Sequence, residues 1–153
     1  MSKNERLQST IAIFIATIAL MISVWQGCEQ RRHNRLSVRP LLGFETISHN
    51  DTRSIKLMNS GLGPAVIESF QIGLDGKQLD AESGNPWRPV IDARNLRGKY
   101  SAMYYFAEAS IIKPEETYSL LTWTPGDTLA LGITISIRYQ SLYEEDYTIT
   151  ESF

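Results

Sequence analysis

The spacing of apolar residues changes character once along the chain. From Leu7 to Cys28 there are 22 residues without a charge, centred on the stretch from Ile11 to Trp25. As a helix, that run rises ~33 Å at ~1.5 Å per residue, which matches the ~30 Å hydrocarbon core of a bilayer. It predicts a single transmembrane helix, with Ile11, Ile15 and Leu20 in its apolar body. Trp25 falls at headgroup level, where an amphipathic indole is favoured.

From Leu36 onward the apolar positions alternate. Leu129, Leu131, Ile133, Ile135, Ile137 and Tyr139 take every second place, separated by small or polar residues. A period of two puts all six large side chains on one face of a strand, which a helix of 3.6 residues per turn cannot do. After a turn at Tyr143 to Asp146, the segment Tyr147 to Thr150 is expected to return as its hairpin partner. Further strands are expected at Val38 to Ile47, Ser54 to Met58, Ala65 to Leu74, Tyr100 to Phe106 and Tyr118 to Trp123. Asp75-Gly76 is a hairpin dipeptide, because the favoured two-residue turn needs positive φ at both places, and it leads into Lys77 to Leu79. Residues 80–99 read as a long polar connection with a short helical turn around Ile91 to Leu96. Several short strands spaced by turn residues imply a β-sandwich or a barrel. The chain thus divides into residues 1–35, the helix and a basic stem, and residues 36–153, one β domain of ordinary small size.

Charge follows the same division. Residues 1–39 carry six Lys/Arg against two acids, a net of +4; residues 40–153 carry nine against fifteen, a net of −6. A basic stem is drawn to anionic headgroups, whereas an acidic domain is repelled by phosphate, so nucleic-acid binding is set aside. Arg31, Arg32, Arg35 and Arg39 follow the span, while Lys3 and Arg6 precede it. Counting Lys/Arg near the helix ends favours a cytoplasmic C-terminal domain in a single-pass protein of the bacterial inner membrane. A short basic N-terminus also suits export of the domain, so the opposite orientation stays open. Cys28 is the one cysteine, which excludes an intramolecular disulfide. Its lead-in, Trp25-Gln26-Gly27, is too bulky and polar for a lipoprotein signal, and no small-x-small cleavage site follows the apolar run.

Chemistry-bearing motifs are sparse. Gly61-Leu62-Gly63-Pro64 lacks both the third glycine of a dinucleotide fingerprint and a Gly-Lys-Ser/Thr ending, and it reads as a tight connection supported by Asn59. His33, His49 and Cys28 are too scattered for a zinc site, and the acids at Asp80, Glu82, Glu115, Glu116 and Glu144 to Asp146 lack calcium-loop spacing. No nucleophile elbow is present. Asn50-Asp51-Thr52 fits a glycosylation sequon, a pattern frequent by chance. No catalytic residue, metal or cofactor is expected. The aromatic segment is the feature with functional promise: in a strand from Tyr100 to Phe106, Tyr100, Ala102, Tyr104 and Phe106 share one face. Met103 and Tyr105 then form either a candidate partner surface or a second covered face.

Two stretches carry a resemblance. His33-Asn34-Arg35-Leu36-Ser37-Val38-Arg39-Pro40, followed by Asn59-Ser60-Gly61-Leu62-Gly63-Pro64-Ala65 and Asp75-Gly76, resembles a widespread group of small bacterial single-pass membrane proteins. The stretch from Asn59 to Ala65 is also similar to the first hairpin of immunoglobulin-like modules of envelope proteins. The resemblance implies a mainly β chain, an N-terminal transmembrane helix followed by an antiparallel immunoglobulin-like β-sandwich, and no established activity. The expected partners are the lipid bilayer and a membrane or membrane-proximal protein. A membrane-tethered sensor of a small ligand or glycan, using Trp87, Trp123 and Tyr105, is the alternative.

Overall fold

A computed structural model of the chain describes residues 3–79, 84–124 and 132–153. Leu129 and Leu131 of the alternating run, and Asp80 and Glu82, lie outside the described residues. The chain divides into two compact units, Met1–Ser37 and Val38–Phe153.

The first unit is one helix, α1 (Lys3–Ser37). It contains a segment long and apolar enough to cross a membrane, and none of that segment is buried by the rest of the chain. Ile11, Ile15, Leu20 and Trp25 are all exposed. The two hydroxyls in mid-span are satisfied by the helix itself: Thr17 Oγ1 donates to the Ile13 carbonyl at 2.9 Å and Ser23 Oγ to the Ala19 carbonyl at 2.8 Å. Bonding back one turn lets a hydroxyl sit in an apolar run without an orphaned proton. The helix continues past the apolar run through the basic stem to Ser37.

The second unit is a sandwich of two antiparallel sheets. One has the order β1 (Leu42–His49), β2 (Thr52–Asn59), β7 (Thr117–Trp123), β5 (Tyr100–Met103). The other has the order β4 (Lys77–Gln78), β3 (Ala65–Leu74), β8 (Ile133–Gln140), β9 (Asp146–Ser152), with β6 (Ile111–Ile112) pairing the start of β3. With β4 and β6 set aside, the remaining strands follow the A-B-E-D and C-F-G order of an immunoglobulin-like sandwich. Ile55, Leu57 and Leu121 of the first sheet meet Ile67, Ile72, Ile133, Ile135 and Ile137 of the second, all buried. The alternation from Ile133 to Tyr139 points inward, while Thr134 and Ser136 face outward with hydroxyl bonds to Ser152 and Thr150. The β3–β4 hairpin turns at Asp75 and Gly76 with φ of 49° and 78°, the positive pair that its dipeptide predicts.

Three expectations shift. The first strand begins at Leu42 rather than Val38, because residues 38–41 are held by the β2–β3 turn. The Leu62 N–H donates to the Arg39 carbonyl at 3.1 Å and the Ser60 N–H to the Leu41 carbonyl at 2.8 Å. The fifth strand ends at Met103 rather than Phe106: a bulge between Tyr100 and Ala102 breaks its register, and Phe106 turns into the core. The short helix, α2, runs Arg88–Ala93, three residues earlier than expected. Pro89 sits in its first turn, where a missing N–H costs nothing. The helix stops at Asn95 with φ 50°, and the Leu96 N–H closes back on the Ile91 carbonyl at 2.9 Å, a Schellman ending.

The turn that grips residues 38–41 is organised by Asn59, which is fully buried. Its Oδ1 accepts from the N–H of Leu41 at 3.1 Å and of Gly61 at 3.0 Å. Its Nδ2 donates to the carbonyls of Gly63 at 2.8 Å and Ile112 at 3.1 Å. One amide side chain thus joins the entry to β1, the β2–β3 turn and β6. Gly63 is required by close approach rather than by φ, since a Cβ there would overlap the backbone of Val38.

Candidate functional site

The aromatic residues that draw attention in the sequence are mostly structural. Met103 is half-buried against the core, and the Nδ2 of Asn85 approaches its sulfur at 4.0 Å. Tyr105 lies beyond the end of β5 and is 40% exposed. The two therefore do not share an open strand face, which corrects the expectation that one strand carries both Met103 and Tyr105. Trp87 is buried to 0% exposure, and its indole N–H donates to the Tyr104 carbonyl at 2.7 Å. Trp123 is buried to 4%. Phe70, Trp87, Tyr104, Phe106 and Tyr118 form a continuous chain of ring contacts, with centroids 5.0–6.4 Å apart. These rings close one side of the sandwich, between β3 and the β5 edge. The segment that looked like a polar connection supplies the largest of them, Trp87.

The other side, between β1 and β9, is less completely filled. The two sheets meet there where the ring of Phe44 on β1 crosses that of Phe153, just past β9, at 5.6 Å, and where the Leu42 N–H reaches the hydroxyl of Tyr139 on β8 at 3.4 Å. Beside these contacts lies a cleft of about 190 Å³, floored by Ile55, Trp123 and Phe153 and rimmed by Thr46, Arg53 and Glu151. Both bordering strands end their sheets. The Asn59 amide and carbonyl bond to the β7 side, so in β1 it is Phe44, Thr46 and Ser48, in step with Leu42, whose backbone groups face away from β2. The Phe153 and Ile133 backbones exchange both bonds, at 2.8 and 3.1 Å. By the same alternation Asp146, Thr148, Thr150 and Ser152 turn their backbone groups away from β8. In the sequence pattern the acidic run from Glu144 to Asp146, where β9 begins, is the one signal beside this seam.

Shifted titrations belong to the turns. A backbone bond from the Lys113 N–H, at 2.9 Å, and a weaker one from the Tyr118 hydroxyl hold Glu116 below its ordinary pKa. Desolvation and the same bond push the Tyr118 hydroxyl up. Desolvation and a bond to Glu145 do likewise for Tyr147. Arg97 lowers Asp92 through a 2.8 Å pair. A depressed carboxylate pKa in the folded state adds stability at neutral pH that disappears as the group protonates. Glu116→Gln is therefore expected to lower the melting temperature at pH 7 and to flatten its decline below about pH 4.5, as read by melting curves across pH. An unchanged acid limb would remove Glu116 from the account.

His33 lies on α1 and His49 at the end of β1, and among the described residues no three His, Cys, Asp or Glu side chains gather to hold a metal ion. Gly61 to Pro64 forms the structural turn around Asn59, with no cradle for phosphate. Compared with known proteins, the chain matches no family model and no curated sequence.

Proposed function

We propose that the chain is a membrane-anchored interaction module without catalytic activity, in which α1 spans the bilayer and the sandwich meets a membrane or membrane-proximal protein. The observation that carries this reading is the seam between β1 and β9: two strands that, among the described residues, end their sheets beside an apolar-floored cleft. Anchoring suits such a surface because it raises local concentration without demanding high intrinsic affinity. The arginines after the span support placement in a bacterial inner membrane with the sandwich in the cytoplasm, in keeping with the small single-pass proteins that the chain resembles. A stacking site for a glycan receives less support, since Trp87 and Trp123 are buried.

Leu20→Arg places a charge in mid-span at a cost of ~2.5–3.5 kcal/mol on an insertion scale, and is expected to shift the protein out of the carbonate-resistant membrane fraction. An alkaline phosphatase fused after Phe153 is expected to be inactive, and active if the arginines at 31, 32, 35 and 39 are neutralised. Cross-linking in intact cells, isolation in mild detergent and mass spectrometry should then return one stoichiometric protein partner. A chain recovered alone after cross-linking, or one that turns over a substrate, would overturn the reading.

A further inference from the structure

The β9 edge of the seam is acidic, and its charge selects an occupant. Residues 139–153 contain Glu144, Glu145, Asp146 and Glu151 and no Lys or Arg. Asp146 and Glu151 lie on β9 itself. A second copy pairing β9 to β9 would bring these acids together, a like-charge arrangement that disfavours self-association. A basic strand meets no such penalty. Resting on the proposal that the sandwich is a recognition module, we infer that the β9 edge is the docking site of a basic, extended polypeptide segment whose alternate residues are apolar.

The geometry of an added strand follows from the pairing already present. Asp146, Thr148, Thr150 and Ser152 offer outward N–H and C=O groups at every second residue, the ladder that strand addition uses. Directly opposed residues share a face. Ile149 and Glu151 lie opposite Ile137 and Ile135, the inward positions of β8. A ligand side chain opposite Glu151 therefore points between the sheets, toward the cleft floored by Ile55, Trp123 and Phe153. Its neighbours in the ligand fall on the outer face, along the hydroxyl row Thr148, Thr150 and Ser152, with the acidic turn from Glu144 to Asp146 at one end. Basic residues suit those outer positions. The apolar floor of Ile55, Trp123 and Phe153 makes the inward position itself apolar rather than basic.

The test uses the full chain in a non-ionic detergent and a fluorescein-labelled heptapeptide that alternates lysine with valine around a central phenylalanine. A comparison peptide of identical composition has its apolar residues contiguous. Fluorescence anisotropy should show the alternating peptide binding about tenfold more tightly than the comparison. Thr150→Pro removes one outward N–H and leaves the backbone bonds to β8 intact, with loss only of the exposed hydroxyl bond to Ser136, a placement that edge strands tolerate; it should weaken binding about tenfold. Thr46→Trp, which touches neither ladder, should do the same by filling the cleft, and it serves if the proline variant melts early. Equal binding of the two peptides, binding indifferent to both variants, or no saturable binding would overturn the inference. The cross-linking experiment above reports separately on the wider reading, since a partner captured away from β9 would sustain that reading while removing this site.

Discussion

Ile135→Asp is expected to unfold the sandwich, while Ser136→Asp leaves it folded. Ile135 is fully buried, paired with Ile72 on one side and with Glu151 on the other. The substitution removes a large apolar side chain, worth ~2–5 kcal/mol when truncated in a core. It also places a carboxyl where no donor answers it, at a further cost of at least ~2 kcal/mol, beside another acid. Together these approach the ~5–15 kcal/mol that holds a typical domain. One residue along, Ser136 faces outward and bonds the Thr150 hydroxyl at 2.9 Å. Its replacement loses about one exposed hydrogen bond, within ~0.5–1.5 kcal/mol. Urea unfolding of the two variants checks the register, and equal midpoints would refute it.

Asn59→Leu is the second large effect. The side chain keeps the same forked shape and number of heavy atoms but answers none of the four backbone groups that the amide satisfies, two of them donors and two acceptors. Each group left unpaired and buried costs ~1–3 kcal/mol, so a loss of ~4 kcal/mol or more is expected, read as a melting temperature lower by about 15 °C. Asn59→Asp separates hydrogen bonding from shape. Its second oxygen faces the carbonyls of Gly63 and Ile112 and needs a proton to bond either of them. The folded pKa of that aspartate is then raised, and stability is recovered as pH falls. This is opposite to the trend expected at Glu116. A variant as stable as the parent at neutral pH would contradict the bonding around Asn59.

What the sequence made legible was whatever depends on neighbours along the chain. The inward run from Ile133 to Tyr139 follows from a period of two, and the hairpin at Asp75-Gly76 from the φ demands of its two residues. The bounds of β3, Ala65–Leu74, coincide with the turn residues on either side. The rest depends on partners distant in sequence. Asn59 could be read as a turn residue, but its reach to Leu41 and to Ile112, 18 and 53 residues away, has no local mark. Trp87 sits among Gly, Pro and charged residues, and only the tertiary fold makes it the plug of an open side. The strand around Tyr100 to Phe106 failed because a bulge reverses which residues face inward, and alternation cannot anticipate a skipped residue. The edges of β1 and β9, and with them the candidate seam, become visible only once the strand order is known.

The distances spanned by these contacts also set an order of events in time. Polypeptide emerges from the N-terminus at ~5–20 residues per second. The 53 residues between Asn59 and Ile112 therefore take about 3–10 s to make, and the 97 between Leu42 and Tyr139 about 5–20 s. Throughout that interval α1 is already complete, since a helix needs nothing beyond its own length to form its bonds. Pairing of β3 with β8 and of β8 with β9 comes last, with the slow, long-range closure typical of sandwiches. The sandwich must therefore complete its fold, and close its longest-range pairings, on a chain whose helix has already formed.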